Sequence, residues 1–367
     1  MSPRYPGRLA LQQRVLPSYR VPFFDMLAGA CDRGLSVFAG QPRRSEAIST
    51  GLPRVASHAA AQNLHILGGS LYLCHQRGLT SWLEAWDPDA LIMEANPRYL
   101  ATGSGVRWMH ARKRPVIGWG LGAPPMDGPF AEAPRARRRS FLQQFDALIA
   151  YSRRGAREYI EAGFPSTRVF TATNSVAPRP AGRPERLAHA GQPVVLYVGR
   201  LQPRKRVDLL IRACADMPEP KPRLIIVGDG LDRSHLEQLA QRVYAATEFV
   251  GAKHGLALAP YFEQADLFVL PGTGGLAIQE AMAHALPVIV AKGDGTQDDL
   301  VRDENGWQIP PGDYAALAGT MRSALADRAR LRRMGDESYR IVSDEINLET
   351  MVGVFIQVLN GVTATTV

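Results

Sequence analysis

Short apolar runs alternate with amphipathic stretches along nearly the whole chain. In the first half the runs at 9–15, 35–39, 90–94, 116–119, 147–151 and 169–172 read as strands, with helical periodicity at 22–32, 71–86 and 153–162 between them. The pattern restarts in the second half. Strands are expected at 194–198, 224–227, 248–250, 267–270 and 287–290, and helices at 207–217, 234–244, 276–285 and 314–326. Runs such as VVLYV and LIIV have no polar alternation, so both faces of each strand must be buried. That requires parallel sheets with helices on either side: an α/β chain of doubly wound, Rossmann-like sheets.

Between the halves lies 177–192, APRPAGRPERLAHAGQ, rich in Pro, Gly and Ala and weakly periodic. It reads as a linker between a first domain at 1–180 and a second at 190–345. A last apolar-periodic helix over 348–359 ends the chain, and the segment 346–367 is expected to pack back toward the first domain. No repeat of 20–50 residues is visible. Doubly wound sheets bind ligands at the carboxyl ends of their strands, so the default site is a cleft in which the two domains face each other.

Composition narrows the class. At 46% hydrophobic and 21% charged residues, the 367-residue chain is ordinary for a globular enzyme. Three scattered cysteines, Cys31, Cys74 and Cys214, suit a reducing compartment and suggest neither a disulfide framework nor a zinc site. The start at 1–19 has no apolar core for a signal peptide, and no run of about 18 uncharged apolar residues follows. The expected location is cytoplasmic. The net charge of +8 is uneven: residues 1–182 hold 23 Lys/Arg against 12 Asp/Glu, the rest 20 against 23. A basic first half would attract something anionic, such as a phosphorylated acceptor or the inner face of the cytoplasmic membrane. A nucleic-acid partner is not expected, because the interleaved aromatics and known modules of such proteins are missing.

Three segments of the second half carry candidate chemistry. VVLYVGRLQPRK places Gly199 and Arg200 at a strand end and Lys205 near a helix start, where a guanidinium fork and an ammonium could clamp one diphosphate. LIIVGDG ends a strand at Gly228, where the chain turns sharply and its backbone can approach a ligand. LFVLPGTGGLAIQEAMAHALPVIV ends a strand at Pro271 and opens a helix after Gly274 and Gly275, so that main-chain N–H groups near Leu276 form an anion site. Glu280 lies one turn further on the same face, placed to accept bonds from ribose hydroxyls.

YVGRL…K, IVGDG, FVGA, PYFEQADLFVLP and GLAIQEAMAHALPVIV, in this order and spacing, resemble the donor domain of glycosyltransferase family four over roughly 194–345. The opening QQRVLPSYRVPFFDML, and PVIGWGLG followed by a basic helix and DALIAYS, resemble a bacterial subgroup of it with a YR-x-PFF segment. The resemblance implies a GT-B fold and a hexosyltransferase. Such an enzyme moves a hexose or deoxyhexose from a GDP- or UDP-linked donor to a glycan, lipid-linked or small-molecule acceptor, with retention of configuration. It further implies that Arg200 and Lys205 hold the diphosphate, Glu280 the ribose, Gly275 and Leu276 the distal phosphate, and Val250 and Gly251 the base. No cofactor and no metal are implied.

The sequence departs from that pattern in two places. The first glutamate of the family's E-x7-E motif, which meets the donor sugar, would fall at Gly272. The glycine-rich loop after the first strand is replaced by Leu16–Arg20 residues LPSYR, from which Arg20 could reach the diphosphate across the cleft. On the acceptor side Glu94, Asn96 and Arg98 follow a strand and would touch acceptor or donor sugar. His110 reads as a surface histidine. RARRR at 135–139 opens a basic helix that could rest on anionic lipid or be simply solvated. Asp87-Pro88-Asp89 has the D-x-D form of metal-dependent transferases, but Pro-Asp before a strand is a common entry signal. Two alternatives remain open: a GT-B-fold sugar-nucleotide epimerase, and a catalytically weak donor-binding paralogue, the latter suggested by Gly272.

Overall fold

The computed structural model describes residues 3–46, 48–128, 131–184, 191–293 and 295–364. The chain divides into two compact units, Met1–Val176 with Leu348–Val367, and Ala177–Asn347. Residues 185–190 of the expected linker and 365–367 of the expected last helix lie outside the described residues.

The first unit is built on strands β1 (Leu9–Val15), β2 (Leu35–Gly40), β3 (Ser57–Ala60), β4 (Gln62–Ile66), β5 (Leu73–Arg77), β6 (Ala90–Glu94), β7 (Val116–Gly120), β8 (Ala147–Ala150) and β9 (Val169–Thr171). Seven of them form a parallel sheet in the order β3-β2-β1-β6-β7-β8-β9, and β4 and β5 pair as an antiparallel hairpin. The winding reverses between β1 and β6, which makes that gap the topological switch point. Apolar side chains lie on both faces. Leu9, Leu11 and Ile92 join a core with Phe23, Trp119 and Phe355, while Ala10, Leu91 and Met93 join another with Trp82, Met109 and Phe145. The helix Leu348–Ala364 supplies Phe355, Ile356 and Leu359 to the first of these, so the unit is completed by the far end of the chain.

The second unit carries β10 (Val194–Val198), β11 (Arg223–Val227), β12 (Thr247–Gly251), β13 (Leu267–Leu270), β14 (Val288–Ala291) and β15 (Gly306–Ile309), all parallel, in the order β12-β11-β10-β13-β14-β15. Its switch point lies between β10 and β13. Every residue of β10, β13 and β14 is buried, as the unbroken apolar runs require.

Several elements differ from the sequence-based expectation. The stretch 71–86 is not one helix: it contains β5, then a glycine at φ +89°, then the helix Leu79–Trp86. Its three consecutive polar residues His75, Gln76 and Arg77 show no apolar alternation that would reveal a strand. Strands β3, β4 and β15 and the helix Arg328–Arg340 also went unread. The edge strands are short and only partly buried, so their composition is polar. Among the described residues one helical run, Arg328–Thr363, is long and apolar enough to cross a membrane by composition; half of its most apolar window is buried in the protein, as in a core helix.

Candidate functional site

In the second unit two loops meet beyond the switch point. One follows β10 and runs through Gly199 and Arg200 to a 3-10 turn at Pro203–Lys205; the other follows β13 and runs from Pro271 to Gly275. Three hydrogen bonds tie them together. Thr273 N–H donates to the Arg204 carbonyl at 3.2 Å, Lys205 Nζ to the Thr273 carbonyl at 2.5 Å, and Arg204 Nη1 to Thr273 Oγ1 at 3.1 Å. The approach is so close that a Cβ at position 272 would stand 2.3 Å from the Arg204 carbonyl oxygen and 2.4 Å from Lys205 Cα. At Gly274, φ is +102°, and a Cβ would meet Lys205 Nζ at 2.5 Å. The glycines therefore make room for the lysine rather than simply loosening the loop.

The electrostatics of this junction favour an anion. Burial and the neighbouring guanidinium groups of Arg204 and Arg200 push the Lys205 ammonium down to about 8. A phosphate beside the three cations would relieve their mutual repulsion. The helix Leu276–Ala283 starts here with Gly275 as its N-cap, and the cap offers no side chain, so the first main-chain N–H groups are available to a ligand. Glu280, half-buried in that helix, has its carboxyl raised by burial. Gln279 beside it points inward and donates to the Ile346 carbonyl at 2.7 Å. Pro271 to Leu276 and Glu280 thus share one end of the sheet with Arg200 and Lys205.

The β11 and β12 ends complete this edge. Gly228 packs so tightly on Gly199 that a Cβ would lie 1.9 Å from its carbonyl oxygen, and Gly228 N–H donates to the Gly251 carbonyl at 2.9 Å. Val250 and Gly251, the latter at φ +74°, end β12. Sequence reasoning missed Arg204 and Thr273. Their only signal was proximity to Lys205 and Gly274; the bond between them is a tertiary event.

The first unit holds a separate cavity of about 510 Å³ beyond β6 and β7, lined by Glu94, Asn96, Arg98, Tyr99, Trp119 and Tyr151 among others. Glu94 ends β6. Its Oε2 accepts the Arg14 N–H at 2.5 Å, and its own N–H donates to Gln12 Oε1 at 3.1 Å. Burial pushes its carboxyl up to about 7, against the opposing pull of that N–H bond and of the Arg14 and Arg20 charges. Gln12 in turn accepts no freedom: it bonds Gln76 of the hairpin, which bonds Asn63 at 2.9 Å, and Asn63 bonds the Arg14 carbonyl at 2.8 Å. Asn96 Oδ1 is engaged by the Arg98 N–H at 3.1 Å, so this side chain shapes the turn as well as the cavity.

Arg20 belongs to this first-unit group. It is 5% exposed, with its guanidinium 5.1 Å from the Trp119 ring centre and 5.3 Å from that of Tyr151. Its Nη1 and the Trp119 Nε1 are buried without a hydrogen-bond partner. The arginines at 135–139 are partly committed: Arg135 donates to the Met126 carbonyl at 2.8 Å, Arg138 to that of Pro124 and Arg139 to that of Ala162 at 3.3 Å, while Arg137 is exposed. His110 Nε2 pairs with Asp146 at 3.0 Å. In Asp87-Pro88-Asp89, Arg114 takes Asp87 at 2.5 Å, and Asp89 accepts the Arg8 N–H at 2.7 Å. Both carboxylates serve as strand-entry anchors. No group of three or more His, Cys, Asp or Glu with metal-holding geometry occurs among the described residues.

Comparison with known proteins gives the family of the chain. Residues 179–341 match the family described as "Glycosyl transferases group 1". A GDP-mannose-dependent alpha-mannosyltransferase of Mycobacterium tuberculosis is 31% identical over 296 residues, 72% of this chain and 73% of that protein. A D-inositol 3-phosphate glycosyltransferase of Nocardia farcinica is 28% identical over 231 residues, 57% of this chain and 51% of that protein. Among solved structures, Anabaena HepE in complex with UDP superposes with a TM-score of 0.69 at 18% identity, covering 96% of this chain and 99% of its own.

Proposed function

This chain belongs to the group 1 glycosyl transferases, an enzyme of the hexosyltransferase class with their GT-B fold, and we propose that it transfers a hexose from a nucleotide diphosphate donor, GDP-mannose first among candidates, to a hydroxyl-bearing acceptor with retention of configuration. The observation that carries this reading is the junction of Lys205, Arg204 and the Gly272–Gly275 loop, a cationic cradle at a helix start with no carboxylate among the groups acting on Lys205. The choice of donor is supported by the mycobacterial relative's dependence on GDP-mannose; a UDP-sugar is the alternative donor, supported by the HepE complex.

In this mechanism Arg200 and Lys205 hold the diphosphate, and the N–H groups at Gly275 and Leu276 receive the distal phosphate. Glu280 binds the ribose, and the β11 and β12 ends, at Gly228, Val250 and Gly251, flank the base. Negative charge grows on the diphosphate as the glycosidic bond breaks. Fixed cations stabilise that charge more in the transition state than in the ground state. The departing phosphate oxygen takes the acceptor proton on the same face, so the protein supplies positioning rather than a nucleophile. Neither metal nor cofactor is proposed. The acceptor is assigned to the first-unit cavity, at Glu94, Asn96 and Arg98.

Replacing either cation with alanine is expected to raise the barrier by about 2–4 kcal/mol, roughly 30- to 1,000-fold in kcat/KM. The assay is release of GDP or UDP from GDP-mannose or UDP-glucose with a lipid extract, scored with the anomeric configuration of the product. Turnover within threefold of the parent in both Arg200→Ala and Lys205→Ala would discard the cradle. The glycine at 272 favours a second reading, a donor-binding protein with weak turnover: tight nucleotide binding with no glycoside formed would select it.

A further inference from the structure

The helix Leu276–Ala283 begins at Gly275, and side chains from two other loops press on the glycines at its start. Lys205 stands against Gly274, where a Cβ would meet its Nζ at 2.5 Å. Gln297 stands against Gly275, where a Cβ would lie 3.6 Å from its Nε2. The lysine belongs to the cationic cradle. The glutamine has no part in it, yet its side chain is held at a cost. Gln297 is 4% exposed, and its Oε1 is buried without a hydrogen-bond partner. A buried amide left unpaired is less stable than an apolar side chain of the same shape, so packing alone does not call for glutamine here.

Local structure fixes where the amide lies. Gln297 sits in the short helix Thr296–Leu300 that follows β14. Leu300 and Val301 anchor that helix in the core of the second unit. Gly293, in the loop after β14, comes so close that a Cβ there would meet Oε1 at 2.8 Å and Nε2 at 3.0 Å. The amide is thus wedged between that loop and the start of the helix Leu276–Ala283, with Nε2 the end nearer Gly275.

Strand order indicates what the amide would meet. The sheet runs β12-β11-β10-β13-β14-β15. The base is assigned to the ends of β12 and β11, and the diphosphate to the junction of the loops after β10 and β13. The next strand in the same direction is β14, whose following loop carries Gln297. A donor laid along this edge therefore brings its sugar, which is joined to the distal phosphate, toward the β14 end. Position 272 offers that sugar nothing: it is glycine, and a Cβ would stand 2.3 Å from the Arg204 carbonyl oxygen. A neutral amide suits a hydroxyl, because its N–H can donate to the hydroxyl oxygen without bringing a charge beside the diphosphate.

We propose that Gln297 is a specificity-determining residue for the donor sugar, its Nε2 donating to a hydroxyl of the transferred hexose. This deepens the reading of the Lys205–Gly275 junction as the donor site and rests on it.

The full-length protein is titrated by calorimetry with GDP-mannose and GDP, and with UDP-glucose and UDP; the pair that the parent binds is scored. Gln297→Met keeps an unbranched side chain of similar length and removes the amide. It is expected to weaken the nucleotide sugar by about 3- to 10-fold, as for loss of one hydrogen bond, and to leave the free nucleotide within twofold. Gln297→Leu carries the same expectation and replaces the methionine variant should that protein fail to fold. Equal weakening of nucleotide sugar and nucleotide overturns the inference, since the amide would then serve the diphosphate or the shape of the loop. So does an unchanged affinity for the nucleotide sugar. Either result, with nucleotide binding intact in the parent, rejects this inference alone. A parent that binds neither nucleotide nor nucleotide sugar rejects the donor site itself.

Discussion

At Gly272 the chain has no room for a side chain, and this single fact shapes the junction of the loops that follow β10 and β13. A Cβ would sit 2.3 Å from the Arg204 carbonyl oxygen, against main chain that cannot swing aside. Gly272→Ala should therefore cost roughly 1–3 kcal/mol of stability by overpacking and loosen Lys205 from Thr273. The checks are urea denaturation and the donor KM. Gly272→Glu is expected to behave no better, since the added carboxylate must first push the 204–205 backbone away. Unchanged stability in both variants would contradict the geometry. Glu94 gives a second residue-scale test. Its carboxyl lies at about 7 in the fold against an ordinary 4.5, so the folded state holds a proton that the unfolded state has released. Stability therefore falls as pH rises from about 4.5 to 7, by up to about 3 kcal/mol. Glu94→Gln should remove that slope: its Tm should match the parent near pH 4 and gain on it as pH rises to about 7. Parallel pH profiles of the two proteins would count against the buried carboxyl.

Among elements, the π-helical turn Ile341–Glu345 shows how the second unit closes its last helix. Glu345 accepts from Arg302 at 2.5 Å and from Arg340 at 2.8 Å, and these bonds hold its carboxyl down to about 2. A depressed acid contributes stability above its unfolded value and loses it as pH falls toward the folded one. Glu345→Gln should cost about 1–2 kcal/mol at pH 7, allowing for partial exposure, and nothing near pH 2. Guanidinium melts at the two pH values would show it. The hairpin of β4 and β5 is the other informative element. Its sequence, QNLHI and LCHQR, gives no clear strand period, yet Asn63 and Gln76 carry the relay that fixes Arg14 and Gln12 beside Glu94. Buried amides of this sort read as loop polarity in one dimension. Only the folded register reveals that they are paired. By contrast, β10, β13 and β14 were legible because a strand buried on both faces must be apolar at every position.

For the whole molecule, the return of the chain matters most. The helix Leu348–Ala364 places Phe355 against Phe23 at 5.0 Å and Trp119 at 5.1 Å between ring centres, inside the first unit's core. Phe355→Ala is expected to cost about 3–5 kcal/mol, read by denaturation of the first unit. Because Trp119 also lines the cavity, the same change should weaken binding there more than nucleotide binding. Equal losses at both would argue for general unfolding.

The sequence alone determined the fold class and the group to which the enzyme belongs, and it marked the strand ends and the helix start at which Gly199, Lys205 and Gly275 stand, because strand burial and helix-start glycines leave one-dimensional marks. It could not determine that Arg20 lies with Glu94, Trp119 and Tyr151, nor that Gly272 touches Arg204. Those residues come from different strand ends, and only the closing of each sheet brings them within bonding distance.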